Sequence, residues 1–202
     1  MELHDAIRTR RSIRKYKPDP IPRELLQKIL EEALWAPSGM NRQPWYIYAV
    51  SGQKRDELVK FIGESGPCML DRLEALFPDK MVKLTLSFLR EAGGAPTILL
   101  IYMPKYDITI TKEMSDFERH HIEHDRMGAT QSASALIQNL ILLAHAEGLG
   151  TCWLNGPLYL QKEINDLLGI EGKELVAAVT IGYPDQNPPV PPRKTNCIHW
   201  IE

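Results

Sequence analysis

Apolar residues recur along this chain in two rhythms. Leu25, Leu26, Ile29, Leu30, Ala33 and Leu34 repeat at helical spacing, which predicts an amphipathic helix entered at Pro22 and stopped at Ala36-Pro37. Ahead of it, Leu3 to Arg8 predicts a short helix, and Lys17-Pro-Asp-Pro-Ile-Pro22 must be extended or turned, because proline disfavours helix at the residue before it. Trp45 to Val50 alternates and reads as a strand, and Gln53 to Ile62 as a helix. In Gly63 to Gly94 apolar residues from Met69 to Leu89 keep helical intervals around Pro78, so two short helices are expected.

Pro96 to Tyr102 is a continuous apolar run of strand length, the pattern of a central strand covered on both faces. Met103 to Asp125 turns polar and charged, and a loop with an irregular helix start is expected. In Gly128 to Glu147, Ala129, Ala133, Leu136, Ile137, Leu140, Ile141 and Ala144 form one stripe, widened by Leu142, Leu143 and Ala146. A helix so apolar belongs in the protein centre or a subunit interface, with Gly148 as its stop. Leu149 to Pro157 reads as a glycine-punctuated strand and turn, Gln161 to Leu168 as a helix ended by Gly169, and Glu174 to Ile181 as a strand. Gly182 to Pro192 is proline-rich and extended; it delivers Arg193 and Lys194 before the chain closes on Ile198-His-Trp-Ile201. No repeat or linker divides residues 1–202, so one domain is expected, with a variable, pocket-shaping insertion around 63–126.

Composition narrows the function classes. The 202 residues are 44% hydrophobic and 25% charged, values of a globular protein able to bury a core. A net charge of -2 gives no push toward nucleic acid. Cys68, Cys152 and Cys197 are far apart with no Cys-x-x-Cys, which argues against an iron–sulfur or structural zinc site and fits a reducing compartment. No signal-peptide pattern opens the sequence and no apolar stretch has membrane-spanning length, so a cytoplasmic location is expected.

Against that balance, Arg8-Thr-Arg-Arg-Ser-Ile-Arg-Lys-Tyr16 stands out as a cationic cluster. In a slightly acidic chain it points to one small, half-buried anion, and guanidinium forks match phosphate oxygens. Pro37-Ser-Gly-Met-Asn-Arg-Gln-Pro-Trp45 is a loop whose Ser38 and Gly39 allow close backbone approach, while Asn41 and Gln43 carry donors and acceptors. Cys152, Trp45 and Trp153 read as packed core, and Trp200 and Ile201 as an anchor for the tail on a partner.

Five blocks, Arg-Arg-Ser-Ile-Arg-Lys-Tyr (10–16), Ala-Pro-Ser-Gly-Met-Asn-Arg-Gln-Pro-Trp (36–45), Gly-Leu-Gly-Thr-Cys-Trp-Leu-Asn-Gly (148–156), Ile-Gly-Tyr-Pro (181–184) and Pro-Pro-Arg-Lys (191–194), resemble the signature of the nitroreductase family of flavin enzymes, in the family's order. The resemblance implies an α+β fold with a central mixed, mostly antiparallel sheet flanked by helices. It implies an intertwined homodimer with FMN sites at the interface and NADH or NADPH as electron donor. By position, Arg10, Arg11, Ser12 and Arg14 match the first FMN-binding block. Arg10 would hold the phosphate with Arg193, and Arg14 would sit by the N1–C2 carbonyl edge of the ring. Pro37, Ser38, Gly39 and Asn41 match the loop that reaches the flavin from the partner subunit. Leu154, Asn155 and Gly156 match the block beside the ring, although many members carry glutamate-glycine at Asn155-Gly156. The implied activity moves hydride from NAD(P)H through flavin N5 to a small acceptor such as a nitroaromatic, quinone or enone.

Two other readings stand beside it. His120-His-Ile-Glu-His124 fits an inverted zinc-peptidase pattern, with both histidines on one helix face, although no convincing third ligand follows. Those histidines, with His121 between them, could also line the flavin pocket. The other reading is a flavin-binding protein without NAD(P)H turnover.

Overall fold

Strand β2, Thr97–Pro104, holds the centre of the molecule, and seven of its eight residues are buried. Its continuous apolar run is what a strand covered on both faces requires. The computed structural model describes residues 1–106, 111 and 113–202. Around β2 the sheet is ordered β1-β2-β4-β3, with β1 at Tyr46–Ser51, β3 at Gly150–Leu154 and β4 at Lys173–Gly182. All three pairings are antiparallel. The parallel component expected from the resemblance is confined, among the described residues, to an isolated bridge between Ser12 and Thr151.

Successive side chains of β2 go to opposite layers, as the period of two dictates. Leu99, Ile101 and Met103 join one core cluster with Ile29, Ala33, Leu136, Ile137 and Leu140. Ile98, Leu100 and Tyr102 join another with Leu58, Ile62, Leu89 and Ile164. The first layer is built from α2, Arg23–Ala33, and α6, Asp116–Ala146. The second includes α3, Gly52–Glu64, α5, Asp79–Glu91, and α7, Gln161–Leu168. The expected α+β sandwich is therefore present, completed by α1, Leu3–Thr9, and α4, Leu70–Leu76. Among the described residues no helix is long and apolar enough to cross a membrane.

The expected helix at Gly128 begins twelve residues earlier, so α6 has 31 residues. Its start is a capping box: the Glu118 N–H donates to Ser115 Oγ, and the Ser115 N–H donates back to the Glu118 carboxylate at 2.9 Å. Asp116 and Glu118 also place negative charge at the helix N-terminus. This polar first half carries no apolar stripe, and so it resembles a loop to a periodicity argument. Part of the loop expected over 103–125 falls at 107–110 and 112, outside the described residues. The helices expected around Pro78 are α4 and α5, with Pro78 as the N-cap of α5. The 63–126 segment also contains β2, and it lends Met69, Leu89 and Ala92 to the second core cluster.

Candidate functional site

The segment from Arg10 to Lys17 leaves α1 and runs beside the sheet edge. Ile13 N–H donates to Thr151 O at 2.8 Å, and Ser12 bridges the same residue. Farther on, Tyr16 N–H donates to Gly93 O at 3.0 Å, Lys17 N–H to Tyr183 O at 2.9 Å and Asp185 N–H to Lys15 O at 2.9 Å. The buried Tyr16 hydroxyl donates to Ile13 O at 2.6 Å and meets Thr180 Oγ1 at 2.8 Å. Burial pushes this phenol far up, so it serves as a neutral strut. Two glycines make the approach possible. A Cβ at Gly150 would lie 2.7 Å from Ile13 Cγ1. Gly93 has a φ of +63°, and a Cβ there would collide with the Arg14 carbonyl. The first signature block is thereby fixed against the third.

The fixed segment concentrates positive charge. Arg10 is half-buried, and among the described residues its guanidinium has neither a carboxylate nor a hydrogen-bond partner, its backbone alone being bonded. Burial, then the Arg11 and Arg193 charges, hold its guanidinium below the ordinary value. The two ends of the chain therefore bring Arg10 and Arg193 within electrostatic reach of each other. Among the described residues Arg193 itself donates only to carbonyls of its own tail, Pro191 O at 3.0 Å and Pro192 O at 3.3 Å. Arg11 donates to Arg8 O at 2.8 Å and Arg10 O at 2.6 Å. Like charges gathered without a counter-ion favour an incoming anion.

Beside them lies a cavity of about 270 Å³, lined by Thr9, Arg10, Arg11, His145, Gly148–Thr151 and the tail residues Pro184 and Gln186–Pro188. Its size suits a phosphate and a short polar chain better than a whole flavin. Cys152 is buried just behind it; burial pushes the thiol up against the opposing pull of Arg14 and Arg10. It is packed core, as expected.

The second signature block lies elsewhere. Ser38 ties the loop together: its carbonyl accepts from Asn41 N–H at 3.0 Å and its hydroxyl from Gln43 N–H at 3.0 Å. Three of the loop's non-glycine residues, Met40, Asn41 and Gln43, have φ of 53°, 53° and 48°. Asparagine tolerates this left-handed region, whereas methionine and glutamine are strained in it. Met40 is 88% exposed, and Pro37, Gly39 and Asn41 are exposed as well. Gly39 N–H reaches Ser132 Oγ on α6 at 3.5 Å. A cavity of about 170 Å³ separates this loop from Tyr106, His124, Asp125 and Gly128. From Ser132 to His145, α6 rises roughly 20 Å at 1.5 Å per residue. The loop and the arginine cavity thus sit at opposite ends of one helix segment.

Leu154 ends β3, the strand that Ser12 and Ile13 hold, and Asn155 and Gly156 follow it directly. The Asn155 side chain accepts from the Trp153 indole N–H at 3.0 Å, and Gly156 faces Met69 and Leu89. Trp45 is buried as expected, and Trp153 packs half-buried against the same cluster. His120 and His124 face each other at 6.2 Å between ring centroids, and among the described residues no set of three potential metal ligands gathers. His124 instead lines the cavity under the 39–44 loop. Trp200 and Ile201 are 86% and 98% exposed, without an anchor inside this chain. Sequence reasoning missed Thr9 and His145 as cavity residues. The available signals were a threonine directly before Arg10 and a histidine in the last turn of α6.

Comparison with known proteins gives a consistent result. The model of the nitroreductase family matches residues 7–183. The Bacillus subtilis protein YfhC, whose name carries a provisional NAD(P)H nitroreductase assignment, is 32% identical over 95% of this chain and 89% of its own length. Among solved structures, a BluB-like flavoprotein from Clostridium difficile 630 superposes with a TM-score of 0.80 at 26% identity, each chain covered completely. A Desulfovibrio desulfuricans protein solved with FMN superposes with a TM-score of 0.69 at 25% identity, over 96% of this chain and 92% of that one.

Proposed function

Because the chain belongs to the nitroreductase family, we propose that it is an FMN-dependent NAD(P)H oxidoreductase acting on a small acceptor such as a nitroaromatic, quinone or enone. One observation carries this reading: Arg10, half-buried and without a carboxylate partner among the described residues, shares with Arg11 a cavity with room for a phosphate and a short polar chain, within electrostatic reach of Arg193. The residues present fit the cofactor's phosphate end, since a dianion supplies the counter-charge that this cluster lacks.

Arg10 and Arg11 would hold the phosphate, with Arg193 closing on it from the tail and Ser12 beside them on the same segment. Arg14, two residues past Ser12 on the same extended segment, is assigned to the N1–C2 carbonyl edge, where a cation favours the anionic reduced ring. Leu154, Asn155 and Gly156 flank the ring. When bound, FMN supplies hydride transfer at N5, so the chain needs no nucleophile of its own. The buried Cys152 thiol stays protonated and takes no part.

The loop bearing Pro37, Ser38, Gly39 and Asn41 is assigned to the flavin of a second copy. Roughly 20 Å of helix lies between that loop and the arginine cavity of its own chain, further than one FMN extends from phosphate to pyrimidine edge. The left-handed, exposed geometry at Met40 and Asn41 supports a loop shaped to meet something outside its own chain. A homodimer with two sites at its interface follows.

Absorbance tests the activity. The purified protein is expected to be yellow, to bleach with NADH or NADPH under nitrogen, and to regain colour on adding a nitroaromatic or quinone. Yellow protein that neither pyridine nucleotide bleaches would leave a flavin carrier instead of a reductase.

A further inference from the structure

His145 occupies the last turn of α6 and lines the arginine cavity. Its Nε2 lies 2.8 Å from Thr9 Oγ1. That hydroxyl has one proton, and it donates to Asp5 O at 2.6 Å. Thr9 Oγ1 must therefore accept from His145, which fixes the proton of the neutral ring on Nε2. Nδ1 is left as the nitrogen that can gain a proton, and among the described residues it has no partner.

We propose that His145 is a phosphate-site residue of this protein: when a phosphate group enters the cavity, Nδ1 takes a proton from solvent and the imidazolium joins Arg10 and Arg11 around the anion. The proposal rests on the flavin reading only for the identity of the phosphate's bearer.

The charges around the ring decide its state. From the N-terminal segment come Arg10, Arg11 and the Met1 end of the chain, which lines the cavity. From its own helix end comes Glu147, held by Lys28 of α2 at 2.9 Å. The tail brings Asp185, held by Lys15, and, close to Arg10, Arg193. Glu147 and Asp185 are thus already paired, Asp5 of α1 is exposed, and the charges that act on the ring are those of Arg10 and Arg11. Burial first, then Arg10 and Arg11, lower the His145 pKa, so the ring is neutral at pH 7 while the cavity lacks an anion. A phosphate offsets the arginine charges, and the C-terminal end of α6 already favours a cation there. The two effects together raise the ring's pKa on binding. By linkage, the contribution of His145 to affinity is present below the raised pKa and fades as pH rises through it.

The test follows the imidazole of His145 by NMR in the full-length protein stripped of flavin, with His145→Gln assigning the resonance. FMN and millimolar inorganic phosphate are each expected to raise the titration midpoint by about one unit or more, and riboflavin, which lacks the phosphate, to leave it in place. The Kd for FMN of His145→Gln should exceed that of wild type several-fold at pH 6, approach tenfold only at lower pH and match it near pH 8, since a one-unit shift gives its full factor of ten only below the free-cavity pKa. FMN binding that leaves the midpoint unmoved, or a variant whose pH profile parallels wild type, overturns the proposal while the flavin reading stands. Failure of FMN to bind, with inorganic phosphate still raising the midpoint, overturns the flavin reading and keeps the anion site. If no phosphate-bearing probe moves the midpoint, the proposal fails, and the wild-type titration decides this even if the variant does not fold.

Discussion

Two stretches of α6, its C-terminal end and its middle around Ser132, carry neighbouring segments held in opposite ways. At its C-terminal end the arginine segment is braced by backbone hydrogen bonds to Thr151, Gly93 and Tyr183, over a buried Tyr16. Nearer its N-terminus the Pro37–Pro44 loop is held by Ser38, is largely exposed, and keeps three non-glycine residues in the left-handed region. The first region gathers Arg10, Arg11 and Arg193 with no carboxylate paired to them among the described residues. The second is held to α6 only by Gly39 N–H on Ser132 Oγ and by the exposed Arg42–Asp125 pair, both at 3.5 Å, among the described residues, and presents its left-handed turn outward. Under the proposed function this difference has a reason: one chain would supply the phosphate end, and the loop would serve a second copy.

The sharpest way to break this contrast is to disturb the brace. Gly93→Ala puts a Cβ against the Arg14 carbonyl at a φ of +63°, and should cost on the order of 3 kcal/mol of stability together with FMN retention. Denaturant unfolding and the flavin absorbance of the purified variant read both. A variant that keeps full stability and colour would show that the 12–16 segment can shift without consequence.

Removing the charge should leave the frame standing. Arg10→Ala is expected to weaken FMN binding by about 1.5–3 kcal/mol, roughly 10- to 150-fold, with Arg193→Ala at the lower end because its side chain does not line the cavity. Fluorescence titration of flavin-stripped protein measures this, and unchanged affinity in both variants would remove the phosphate from this place.

At the loop, Ser38→Ala deletes the hydroxyl that accepts from Gln43 N–H. It should lower stability by about 1 kcal/mol, seen in thermal unfolding. Inorganic phosphate affinity at the other end should stay unchanged, and a parallel loss there would mean that the two regions are not separate.

The smallest effect concerns the Lys15–Asp185 pair, 2.6 Å apart and exposed. Hydrogen bonding to Lys15 holds the Asp185 pKa below its ordinary value of 3.8. Its contribution is therefore present above that value and is lost as pH falls through the depressed one. Asp185→Asn should leave the melting temperature between pH 6 and 8 nearly unchanged. A large drop in that range would mean that the tail needs the ion pair to stay beside Arg10.

How much of this was legible in the sequence depends on what each feature rests on. Strand β2 and the apolar half of α6 declared themselves because burial imposes a period or a continuous run. The polar half of α6 did not, since residues 116–127 are held by a cap and by their own backbone; the Ser115–Glu118 box was the available sign. Arg10 and Arg11 could be singled out because charge is local in sequence, but the approach of Arg193 depends on where residues 183–185 are pinned. His145 was hidden because it sits at the end of an apolar stripe and acquires its meaning from Thr9, 136 residues away. The left-handed run at Met40, Asn41 and Gln43 could not be read from composition, since only Asn41 belongs to a residue type that favours it.

Mixed subunits test the central claim most directly. Gly39 has open space where a Cβ would stand, so Gly39→Trp should fold while blocking a flavin held by the second copy. Arg10→Ala chains and Gly39→Trp chains, each purified alone, should retain little FMN. Co-expressed with different tags and isolated as the mixed species, they are expected to carry one FMN per two chains, because one of the two sites then combines an intact arginine end with an intact loop. Mixed species no richer in FMN than either parent would contradict a site shared between two copies.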